Sequence, residues 1–143
     1  MSAYQLPAFV WPTAVMGICA IALWRGGVQE RLAAGGVLAG WALSMVLAKD
    51  RTGATQWGVL VIDAALLGEF LWLALRSPRY WPLFASAFQL LAVVTHLGRA
   101  VDAEVSGWAY FTAELIWSYL VVVTIGYAAF TARPEGEPPL RSG

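Results

Sequence analysis

The chain has little charge, a single cysteine and a single histidine. Its 143 residues hold nine Lys plus Arg and nine Asp plus Glu, so 13% of the side chains are charged. Soluble domains carry about a quarter. The equal counts give a formal net charge of zero, so nothing in the overall charge points to nucleic acid as a partner. One cysteine, Cys19, excludes an internal disulfide and any multi-cysteine metal site. Its place in an apolar run makes it a small packing residue. One histidine, His96, excludes bis-His haem within one chain. No Ser–His or HExxH arrangement suggests hydrolysis. No catalytic residue and no metal ligand are assigned, the cofactor is unknown, and the chain leans away from an enzyme.

Apolar length stands where charge is missing. Five stretches, 8–24, 32–48, 57–75, 82–97 and 108–131, fill the chain almost end to end. Each is close to the ~20 residues that cross ~30 Å of hydrocarbon at a rise of 1.5 Å per residue. The pattern predicts an all-α, polytopic transmembrane helical bundle of five spans over residues 1–132. Short connections make consecutive helices antiparallel neighbours. Residues 133–143, with Pro134, Pro138 and Pro139, read as a disordered cytoplasmic tail. The first run is read as a retained span and not a signal peptide, because residues 1–10 contain no Lys or Arg. No internal repeat of the kind found in larger transporters is visible.

The loops give an orientation. With five spans, one side holds the N-terminus, Lys49, Arg51 and Arg99, and the other holds Arg25, Arg31, Arg76, Arg79, Arg133 and Arg141. That bias puts the N-terminus outside and the C-terminus in the cytoplasm. Aromatic residues fall where interfacial belts are expected, with Tyr4, Trp11, Trp57 and Trp108 outside and Trp24, Tyr80 and Trp81 inside.

The spans differ in quality. The second is only about 26 Å long at helical rise, so Arg31 and Lys49 are expected to flank it. The third carries both Asp63 and Glu69. Its apolar residues return about 4–5 kcal/mol, while two central acids would cost up to about 5–7 kcal/mol, so it needs polar neighbours or protonation. The fourth is interrupted by Gln89 and His96. It is kept as a span because the charge segregation collapses without it. Small-residue stripes, Gly36 with Gly40 and Ala64 with Gly68, are read as packing within the chain.

Three ionisable residues share one depth. Asp63 and Glu114 each lie six residues, about 9 Å, inside the outer ends of their spans. His96, about 21 Å along the fourth span from its inner end, falls at the same level. The three form a candidate intramembrane polar cluster. They can lock helices together, share protons or ligate a divalent ion, and locking is the preferred reading. The secondary candidates are Glu69, Gln89, Arg99 and Asp102. Arg99 and Asp102 follow His96 at three-residue steps and read as a salt bridge at the outer mouth. Tyr110, Glu114 and Ser118 are four apart, so Glu114 can be satisfied within its own helix. Gln89 reads as a hydrogen-bond partner for Glu69. Trp41 and Trp117 sit in mid-span and each needs an acceptor for its indole N–H.

Several local patterns, among them 74–83 (ALRSPRYWPL), Gln89 with His96-Leu97-Gly98-Arg99, and Trp108-Ala109-Tyr110 with Trp117-Ser118-Tyr119, resemble a group of short, uncharacterised bacterial integral membrane proteins. The likeness runs over roughly 57–126. It implies a multi-pass protein of the bacterial inner (plasma) membrane and brings no known activity, cofactor or partner. The expected function is that of an accessory or assembly subunit of a membrane complex. The alternative is a homo-oligomeric proton- or cation-coupled channel or transporter using the buried Asp, His and Glu. The partners expected are the lipid bilayer and either a membrane protein or a second copy of the chain.

Overall fold

The computed structural model describes residues 9–47, 57–102 and 104–132. The expected tail at 133–143, the segment with Lys49 and Arg51, and Tyr4 of the outer belt lie outside the described residues. The described residues form five helices and no strand: α1 (Val10–Arg25), α2 (Val28–Leu47), α3 (Trp57–Arg76), α4 (Trp81–Val101) and α5 (Gly107–Phe130). Four of them, α2 to α5, are long and apolar enough to cross a membrane. Of the five spans expected, α1 is the short one, with 16 residues. The fourth, whose apolar run is broken by Gln89 and His96, is a continuous helix of 21 residues.

Helix ends follow local chemistry. Gly26 and Gly27 alone join α1 to α2, and the Gly26 N–H closes the turn on the Ala22 carbonyl. A Cβ at Gly26 would overlap that carbonyl and lie 2.6 Å from Glu30 Cβ, so the turn excludes larger residues. The α2 helix begins a turn earlier than the apolar run suggests, taking in Glu30 and Arg31. Pro82 opens α4, where a missing N–H costs nothing. Ser106 caps α5 by accepting from Ala109 N at 3.2 Å. Inside the helices, Ser86, Thr95 and Thr124 donate to carbonyls one turn back, which satisfies their hydroxyls without a partner helix.

The helices form a ring in sequence order, closed where α5 returns against α1, with α2 also reaching α5 across the interior. Along the α1–α5 seam the residue numbers rise together. Trp11 packs its ring edge-on to Tyr119 at 4.7 Å, Ile18 lies over Gly126, and Arg25 sits 5.6 Å from the Phe130 ring. Val15, Cys19, Ala22, Ala33, Phe70 and Ile125 are fully buried in the core. The outward faces are apolar as well, with Met45, Leu75, Phe84, Val94 and Val123 all exposed. That pattern suits lipid as the surrounding solvent.

Two expectations about placement change and one holds. Trp24, Tyr80, Trp57 and Trp108 are exposed, as belt residues are, but Trp81 is buried in the core. Gly36 and Gly40 do pack within the chain, against Glu69 and against Leu66 with Ile62. Ala64 and Gly68 instead face outward, and a Cβ at Gly68 would meet nothing within 4 Å.

Candidate functional site

The site is built from single residues on three helices. Asp63 lies two turns into α3, His96 near the far end of α4, and Tyr110 and Glu114 in the first two turns of α5. The contacts of α4 with both α3 and α5 place His96 between the two acids. Its Nε2 is 2.9 Å from Asp63 Oδ2 and 3.4 Å from Glu114 Oε2. The structure thus brings Asp63, His96 and Glu114 into one cluster, with one ligand-type atom from each within 4.8 Å of the others. His96 is 2% exposed, so the imidazole works without bulk water.

The surrounding residues hold the cluster's outer atoms. The Tyr110 hydroxyl lies 2.6 Å from His96 Nδ1, with the two rings edge to face. Gln89 Nε2 donates to Asp63 Oδ1 at 3.0 Å and to the Asp63 carbonyl at 3.2 Å. Gln89 is therefore the partner of Asp63 and not of Glu69. Glu69 lies about two turns further along α3, where its carboxylate fills the space left by the missing side chain of Gly36. Glu114 reaches across to His96, while the Tyr110 hydroxyl one turn back is engaged with the other nitrogen of the same imidazole. Glu114 Oε1 is buried with no hydrogen-bond partner among the described residues.

The remaining candidates lie outside the cluster. Arg99 donates to the Asp102 backbone carbonyl at 3.5 Å, while the Asp102 carboxylate accepts from Glu104 N. The expected carboxylate–guanidinium pairing gives way to a role in ending α4, because Asp102 sits in the extended residue just after the helix. Trp117 finds its acceptor in Thr95 Oγ1 at 3.1 Å. Trp41 lines a cavity beside the cluster.

That cavity has a volume of about 220 Å³. Trp11, Val37, Trp41 and Phe111 form apolar walls, Ser44 and Ser118 supply hydroxyls, and Asp63, His96, Tyr110 and Glu114 form one side. Trp11, in the first turn of α1, is the α1 residue in its lining. Chemically, the arrangement offers one imidazole facing two carboxylates. Even when protonated, the imidazole balances only one of two negative charges. An unbalanced charge away from water is costly, so the cluster favours either a proton kept on one carboxyl or a bound cation.

Two features were not evident in the sequence. Tyr110 is spaced to suggest a partner on its own helix, yet it serves His96. A second polar cluster joins three chain segments: Arg79 donates to Glu30 Oε1, to the Ala128 carbonyl at 3.0 Å and to Thr131 Oγ1 at 2.6 Å. Both Glu30 and Arg79 fall on the same side by loop counting, which was the available signal. Comparison of the chain with protein families, with curated proteins and with solved structures gives no match.

Proposed function

We propose that the chain is a multispan protein of the bacterial inner membrane that binds a cation within the bilayer and, as a homo-oligomer, passes it across. The single observation that carries this reading is the buried His96 facing two carboxylates beside a cavity. Four helices of spanning length and the outward apolar faces support the membrane location. The resemblance to short bacterial membrane proteins belongs to the same reading.

The topology proposed is five spans, antiparallel in sequence order, with the N-terminus outside and the C-terminus in the cytoplasm. Contacts between neighbours support the alternation. Gly36 meets Glu69, Gly40 meets Leu66, and Gly58 faces Leu47, so numbers fall along one helix as they rise along the next. The same holds for His96 with Tyr110 and Thr95 with Trp117. In this topology the cluster lies in the outer half of the membrane.

A second reading, an accessory or assembly subunit, is favoured by the outward strip of Ala64 and Gly68 on α3. Small residues let a partner helix approach closely, whether from another protein or a second copy. The experiment that tests the first reading is cation flux into vesicles containing the purified chain, followed with proton- and metal-sensitive dyes. Flux above protein-free vesicles is expected, falling at least ~10-fold in Glu114→Gln, which removes one of the two carboxylates facing His96. Flux equal to the protein-free control would overturn it in favour of the subunit reading.

A further inference from the structure

We infer that His96 Nε2, Asp63 Oδ2 and Glu114 Oε2 are the protein ligands of one divalent transition-metal ion of the zinc, iron(II) or manganese class, with its remaining positions open to the cavity. The inference rests on the cation-binding reading and names the cation.

The spacing fits. Ligand atoms about 2.0–2.2 Å from a shared ion stand roughly 3.0–3.5 Å apart in tetrahedral or octahedral geometry. His96 Nε2 is 2.9 Å and 3.4 Å from its two carboxylate oxygens. The three ligand atoms all lie within 4.8 Å of one another, so small side-chain rotations close the set around an ion. Each ligand comes from a different helix, and the ion would therefore join α3, α4 and α5 at one point.

The donor chemistry selects the class. One imidazole with two carboxylates suits zinc, iron(II) and manganese. Magnesium and calcium prefer oxygen alone, and copper(I) prefers thiolate or thioether. The two negative charges balance a divalent ion, which also gives the unpartnered Glu114 Oε1 a positive neighbour. No electron transfer is involved: the ion takes the place of the proton shared between His96 Nε2 and the carboxylates, which is released to water as the ion binds.

The atoms behind the ligands are also fixed. Gln89 holds the other oxygen of Asp63, and Tyr110 holds the other nitrogen of His96. Such outer partners set the orientation and tautomer of metal ligands. A hydroxyl is the right group behind this imidazole. It donates to Nδ1 when Nε2 carries the hydrogen, and accepts from Nδ1–H when Nε2 carries the ion. Ser44 and Ser118 line the cavity and offer oxygen contacts to water on the ion's open side.

The test uses the full chain in lipid nanodiscs, stripped with a chelator and then loaded separately with Mn2+, Zn2+, Mg2+ or Ca2+. After desalting, elemental analysis should find a single Mn2+ or Zn2+ per chain and no stoichiometric Mg2+ or Ca2+. The free-ion electron paramagnetic resonance signal of Mn2+ should disappear on addition to the protein. Glu114→Gln and Asp63→Asn, with helix content checked by circular dichroism, should lose retention. Tyr110→Phe keeps all three ligands and should weaken binding by ~10–100-fold. A wild-type chain that retains no Mn2+ or Zn2+, or whose retention is unchanged in Glu114→Gln, Asp63→Asn and Tyr110→Phe, overturns the inference. If proton flux persists in vesicles without metal retention, the metal site falls while the cation reading stands. If both metal retention and cation flux are missing, both fall.

Discussion

At the scale of single residues, Arg79 ties together one end of the bundle. It joins Glu30 at the start of α2 to the end of α5 from its place between α3 and α4. The Glu30 side chain is 4% exposed and that of Arg79 32%. Removing Arg79 would leave the buried Glu30 carboxylate without its guanidinium partner and the Ala128 carbonyl with Thr131 alone as donor. Arg79→Gln should therefore cost several kcal/mol, toward the lower end of the ~3–5 kcal/mol for breaking a buried pair, because Arg79 keeps some contact with water. Glu30→Gln in the same chain should recover part of that loss, with a coupling of roughly 0.5–3 kcal/mol measured by unfolding in detergent. Strict additivity would mean that the two side chains do not interact. Residues such as these are the least legible in the sequence. Depth arithmetic groups Asp63, His96 and Glu114, because rise per residue depends only on counting. The rotation of each helix decides that Tyr110 serves His96 and that Gln89 serves Asp63, and no spacing within one helix contains that information.

At the scale of elements, the close turn between α1 and α2 and the open face of α2 make a controlled comparison. A Cβ on Gly26 meets the Ala22 backbone and Glu30, neither of which can swing away cheaply. One on Gly35 meets nothing within 4 Å. Gly26→Ala should destabilise the bundle by about 1–3 kcal/mol through overpacking. Gly35→Ala, in the helix interior, should be neutral or stabilise it by about 0.4–1 kcal/mol. Thermal unfolding of the two variants side by side would check the contrast, and equal effects would refute the tight turn. The existence of helices was readable from apolar length alone, since an apolar segment crossing lipid must satisfy its own backbone hydrogen bonds, as a helix does. Their ends were less readable. Glu30 and Arg31 look like loop residues, yet they lie inside α2, because Arg79 supplies the charge that lets Glu30 be buried. The fourth stretch looked weak because of Gln89 and His96, and those polar residues are the ones that face Asp63 across the helix contact.

At the scale of the whole molecule, the proposed orientation places the site relative to the two sides of the membrane. A reporter fused after Gly143 should register as cytoplasmic, and a cysteine replacing Ser2 should react with a membrane-impermeant reagent added outside. A C-terminus on the outer side would reverse the charge-based assignment and put the cluster in the inner half of the bilayer. The apolar pattern supplies the number of elements, and the loop charges supply a direction. Short loops made consecutive helices neighbours, but the α1–α5 and α2–α5 contacts were out of reach, because the outward faces are apolar too and lipid accepts them.

The seam between α1 and α5 has a consequence for biogenesis. A ring closed by its first and last helices cannot be finished until the ribosome has delivered nearly all of the chain. Until then α1 has α2 as its neighbour, and Ile18 waits for the groove at Gly126 that arrives more than a hundred residues later. The short first helix is thus left half-partnered throughout synthesis, while α3, α4 and α5 can already have gathered their polar side chains. The polar centre and the closing seam both wait for α5, the first on its opening turns at Tyr110 and Glu114 and the second on the residues from Tyr119 to Phe130.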